Sequence, residues 1–107
     1  MSSEEIDIFK STLKRIVGLK AKIRDQNTYI SNMSRYDIEG SHSRAIIKAI
    51  EKKVKIQSEF DELLNGKTYE QWLATSKKIS GYESRIRNAR GEVSKKRNMV
   101  SLEELKI

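Results

Sequence analysis

Proline and cysteine are both missing from this chain of 107 residues. Without proline, every position keeps the backbone N–H that a helix uses, so nothing forbids long helices. Without cysteine there is no disulfide, no thiolate nucleophile and no cysteine-bound zinc, which fits a reducing compartment. Histidine occurs once, as His42, among serines. A single imidazole supplies neither the usual catalytic triads nor a zinc site, so His42 reads as a solvated loop residue. Apolar residues are also scarce, at 36% against 35% charged. No run approaches the ~18 consecutive apolar residues of a membrane span, and the acidic start at Glu4 and Glu5 is unlike a signal peptide. These absences predict a soluble, cytoplasmic protein with no membrane contact, no cofactor, no metal and no small-molecule substrate.

What the chain does have is heptad periodicity. Over residues 68–100, every seventh position is Trp72, Ile79, Ile86, Val93 and Val100. The companion track runs Tyr69, Thr75 or Ser76, Tyr82 and Ala89, and Lys96 breaks it. Apolar residues alternating three and four apart let a long helix lay a narrow seam against partners. Near the start, Phe9, Ile16, Ile23 and Ile30 repeat the pattern, with Ile6, Leu13, Lys20 and Asn27 alongside. A buried Asn27 would fix register by demanding a hydrogen-bonding partner; at the seam edge it would reach water.

Cap signals mark the helix ends. Ser2 and Glu5 have capping-box spacing, as do Thr68 and Gln71. Periodicity stops between Ser34 and Ser43, where Gly40 and several serines predict a loop with a new N-cap at Ser41 or Ser43. The second helix carries the widest apolar stripe, with Ile46, Ile47, Ala49, Ile50, Val54, Ile56, Phe60, Leu63 and Leu64, so it should touch two partners. Asn65-Gly66 supplies a left-handed C-cap, and the short connection predicts that the second and third helices are antiparallel neighbours. Gly81 and Gly91 in the third helix mark weak spots, a kink or a close approach.

The expected fold is all-α, a single helical domain over residues 1–100 with helices near 3–35, 44–64 and 69–99. These form an antiparallel up-down-up bundle, or a coiled-coil-like hairpin completed by dimerisation. Residues 101–107 form a weakly ordered tail, with Ser101 and Glu104 again at capping-box spacing.

Enzymatic motifs are not found. Gly66-Lys67-Thr68 matches only the end of a phosphate-binding loop, because Asp61 stands where the motif needs an earlier glycine. Glu59, Asp61 and Glu62 cluster beside lysines on a helix face, without a cation-loop pattern. The chain therefore reads as a non-enzyme, and no motif ties it to a family.

Charge is the remaining signal. The net charge is +7, and residues 20–56 with 81–100 hold 15 Lys or Arg against 6 Asp or Glu. Folded up-down-up, those segments would share one end. Candidate polyanion-binding residues there are Arg44, Lys48, Lys52, Lys53 and Lys55, with Arg85, Arg87, Arg90, Lys95, Lys96 and Arg97 across the antiparallel pair. Cations at a helix C-terminus complement its dipole, which accounts for Lys95, Lys96 and Arg97 but not for Arg44 and Lys48. Clustered cations also suit phosphate backbones, with Tyr29, Tyr36 and His42 placed to stack on bases, or an acidic protein surface.

The function expected is therefore a helical adaptor, chaperone or assembly factor. It would act on another protein or on itself through the seam of Phe9, Ile16, Ile23, Ile30, Trp72, Ile79, Tyr82, Ile86 and Val93. The alternative is a DNA- or RNA-binding accessory protein using the basic end at 44–55 and 85–97.

Overall fold

The computed structural model describes residues 1–36 and 43–106, Tyr36 by its backbone alone. The described residues form four α-helices and no strand: α1 Ser3–Tyr36, α2 Ser43–Leu64, α3 Tyr69–Asn88 and α4 Glu92–Glu104. The readings of Gly40, Ser41 and His42, and of the Tyr36 side chain, lie outside the described residues. Packing divides the chain into two units. One comprises Met1–Leu13 with Lys67–Ile107, and the other Lys14–Gly66. α2 and α3, expected as an antiparallel pair, belong to different units.

Local chemistry sets the boundaries of the helices. At the start of α1 the Glu5 N–H donates to Ser2 Oγ at 3.2 Å, and the Ser2 N–H to Glu5 Oε1 at 3.4 Å. At the start of α3 the Gln71 N–H donates to Thr68 Oγ1 at 3.1 Å, and the Thr68 N–H to Gln71 Oε1 at 2.8 Å. Each reciprocal pair satisfies two donors that the first helical turn leaves over. After α2 the chain reverses at Asn65 and Gly66, with φ of 51° and 78°. Both are residue types that tolerate the left-handed region.

In the unit Met1–Leu13 with Lys67–Ile107, Phe9 stacks on Trp72 with centroids 5.0 Å apart and planes 10° from parallel. Ile6, Phe9, Leu13, Trp72, Thr75 and Ile79 are buried there. The Thr75 hydroxyl donates to the Gln71 carbonyl at 3.0 Å, so its burial leaves no unmet donor. Lys10 pairs with Glu83 at 2.8 Å. The Met1 amine donates to the carbonyls of Leu102 and Leu105, at 3.0 Å each, and of Glu103, meeting acceptors that the end of α4 leaves over.

In the unit Lys14–Gly66, α1 and α2 run antiparallel. Arg15 pairs with Glu59, while Gln26 and Tyr29 share a groove with Ala45, Lys48 and Ala49. Ile16, Leu19, Ala49 and Phe60 are its buried apolar side chains.

Several expectations are corrected. The third helix does not run to 99; it stops at Asn88, and Ala89 turns extended with φ −66° and ψ 127°. Gly91, at φ −118° and ψ 146°, then caps α4 without a side-chain hydrogen bond. Glycine is a poor helix interior residue, and the break lets Met99 and Leu102 line a hollow with Met1, Ile6 and Ile86. The expected seam consequently ends early. Phe9, Ile16, Trp72 and Ile79 are buried, Ile23, Ile30, Tyr82 and Ile86 are half-buried, and Val93 is 74% exposed. The expected loose tail is helical through Glu104. Ser101 caps nothing; it sits within α4 and its hydroxyl donates to the Arg97 carbonyl at 3.0 Å. Asn27 is exposed, so no buried amide sets the register. Gly81 has nothing within 4 Å of where a Cβ would stand, which removes close helix approach as its reason.

Candidate functional site

The eleven cations expected to form one basic end are divided between the two units. In the unit Lys14–Gly66, Arg44, Lys48, Lys52 and Lys55 are exposed on α2, and Lys53 is half-buried. At ~100° per residue, Arg44, Lys48, Lys52 and Lys55 span less than a quarter of the helix circumference, so they form one basic edge. In the other unit, Arg85 and Arg87 lie in the last turn of α3, where cations complement the dipole. The Arg85 guanidinium stands 5.7 Å from the Tyr82 ring centroid, a cation–π contact on the same helix. Arg90 is in the break, and Lys95, Lys96 and Arg97 are exposed in the first half of α4. That placement overturns the reading of these three as C-terminal dipole partners.

The carboxylate cluster at the end of α2 is largely engaged. Glu59 pairs with Arg15, and Asp61 accepts a hydrogen bond from Gln57 at 3.0 Å. Among the described residues, no group of three His, Asp or Glu side chains could hold a metal ion, and no buried side-chain nitrogen or oxygen lacks a hydrogen-bond partner. No described helix is long and apolar enough to cross a membrane.

The feature that heptad reading underplayed is the outer face of α2. Its buried side is centred on Ala49 and Phe60. About a quarter to two-fifths of a turn away, Ile47, Ile50 and Val54 are 56%, 44% and 59% exposed. Their spacing of three and four is that of a docking stripe, and it explains why the apolar pattern of this helix looked too wide for one partner. Among the described residues the stripe stays about half exposed. Along one side of the stripe lie Arg44, Lys48 and Lys55, with Glu51 between them.

A second surface joins the two helices of the same unit. Gln26 and Tyr29 of α1 face Lys48 and Lys52 of α2 across a groove floored by Ala45 and Ala49. The sequence signal for it was the spacing of Lys22, Gln26 and Tyr29, which places all three on one flank of α1. Compared with protein-family models, curated proteins and solved structures, the chain matches none of them.

Proposed function

We propose that this chain is a non-enzymatic helical adaptor or assembly factor that docks an acidic amphipathic helix of a partner protein along the outer face of α2. The observation that carries this reading is the exposed stripe of Ile47, Ile50 and Val54 beside Arg44, Lys48 and Lys55. An apolar stripe needs an apolar counterpart, and three cations against one acid favour a partner with Asp or Glu along the matching edge. Burying what remains exposed of three aliphatic side chains contributes about 3 kcal/mol. With flanking ion pairs, this suits a reversible contact rather than an obligate one. A second copy of the chain fits less well, because Arg44, Lys48 and Lys55 would approach their own equivalents.

The test is selection from a randomised helical peptide library against the intact protein, followed by titration of the selected peptides. The expected winners carry apolar residues three and four apart with Asp or Glu beside them. Their binding weakens with salt, falls with Lys48→Glu and is lost with Ile50→Glu. Winners without acidic residues, or binding that ignores Ile50→Glu, would overturn the reading. Self-association abolished by Ile50→Glu would replace the acidic partner with a second copy.

A further inference from the structure

We infer that the groove between α1 and α2 in the unit Lys14–Gly66 is a binding site for single-stranded nucleic acid, with one base stacked on Tyr29 and the adjoining phosphates held by Lys48 and Lys52. The groove is a shallow, open hollow of about 340 Å³ lined by Gln26, Tyr29, Ala45, Lys48, Ala49 and Lys52, at the small end of ligand clefts. Tyr29 is 45% exposed, so much of the ring is in water without a ligand. Ala45 and Ala49 carry one methyl each, leaving open space beside the ring where bulkier residues would fill it. Gln26 brings an amide with both donors and acceptors to the same place, the equipment for a base edge.

The electrostatics favour an anion here. Lys48 and Lys52 stand one turn apart on α2, roughly 6 Å along its axis, and neither makes an ion pair among the described residues. Lys22 extends the cationic line into the neighbouring hollow, which also holds Asp25 and Glu59. Those two acids already have cationic neighbours: Asp25 lies 3.7 Å from Arg24, and Glu59 pairs with Arg15. The lysines therefore keep a positive balance. An aromatic ring offers stacking only to an unpaired base, whereas a duplex keeps its bases stacked on each other. The nucleic-acid alternative drawn from the whole basic end thus narrows to one groove of the unit Lys14–Gly66.

The test is fluorescence anisotropy with a labelled short oligothymidine and a duplex of the same length, titrated with the full chain at low and moderate salt. For two lysines on a single strand, log affinity should fall against log salt with a slope of about −1.4, and Lys48→Ala with Lys52→Ala should remove that slope. Tyr29→Ala should weaken binding about tenfold or more, and Tyr29→Phe should restore it, because the ring and not the hydroxyl does the stacking. Circular dichroism of each variant checks that the helices remain. Ile50→Glu should leave the oligonucleotide titration unchanged, and Tyr29→Ala should leave peptide docking unchanged, so this site and the outer face of α2 can fail separately. No binding at low salt, equal binding of the duplex, or indifference to Tyr29→Ala would overturn the inference. An acidic peptide displacing the oligonucleotide from a Tyr29-independent site would do so as well.

Discussion

Replacing Ile79 with alanine tests whether the core of the unit containing α3 is where its packing places it. Ile79 is only 1% exposed and lies one heptad beyond Trp72. Removing three carbons from a sealed site loses their transfer energy and leaves a cavity, and such changes cost about 2–5 kcal/mol. A domain of this size has about 5–15 kcal/mol in total, so the variant should stay folded but marginal. With a urea m-value of about 2 kcal/mol per molar, the midpoint should fall by roughly 1–2.5 M. Trp72 is the only tryptophan and is buried in the same core, so its fluorescence reports the transition directly. The matched control is Ile50→Ala, the same chemical change at a residue 44% exposed. There the lost burial is partial and alanine is the better helix former, so the midpoint should move by less than about 0.3 M. Equal shifts for the two variants would refute the assignment of Ile79 to the core and Ile50 to the surface.

Four substitutions test the helix ends and the surface. Gly66→Ala should destabilise by about 1 kcal/mol, because φ is 78° there, as read by urea midpoint. Gly81→Ala should stabilise by about 0.5–1 kcal/mol, since this exposed helical glycine has free space around its missing Cβ; a loss of stability would show a contact that the structure lacks. Thr68→Ala should cost about 1 kcal/mol by removing the capping oxygen that receives the Gln71 N–H. Glu83→Gln should cost under about 1 kcal/mol and only at low salt, because both partners of the Lys10 pair are solvent-exposed.

Much of the fold was legible because it is written in local chemistry. Capping boxes act within four residues, and Ser2, Glu5, Thr68 and Gln71 form theirs as spacing alone required. The same holds for Asn65-Gly66, where only the left-handed backbone was needed. Heptad spacing located Ile16 and Ile79, the two most deeply buried large side chains. It misled at Val93 because a periodic track persists in sequence even where the helix is interrupted. What decided the break was Gly91 together with the gain from turning Met99 and Leu102 toward Met1 and Ile6, and that gain depends on residues a hundred positions away. The single basic end was drawn on the expectation of one bundle, whereas packing divides the chain, and its cations, between two units.

The outer face of α2 poses the sharpest question about function, since the fold leaves Ile47, Ile50 and Val54 about half exposed among the described residues. Isolated exposed aliphatics are ordinary, but three aligned on one helix face make a contiguous patch that a monomer normally limits. If the patch were a structural element, replacing all three with serine would unfold the chain. If it serves docking, the same replacement should leave the chain folded, costing only what the fold already covers of the three side chains, about 3 kcal/mol at most. The variant with Ile47→Ser, Ile50→Ser and Val54→Ser is therefore expected to keep its helical circular dichroism and its Trp72 fluorescence. Its stability should fall by no more than about 3 kcal/mol, and it should lose binding to the selected acidic peptides. Because Tyr29, Gln26 and Lys52 are untouched, its oligonucleotide titration should match the parent. Loss of the fold would make the stripe a structural element and remove the docking proposal. A folded variant that still binds the peptides would move the docking surface elsewhere on the chain.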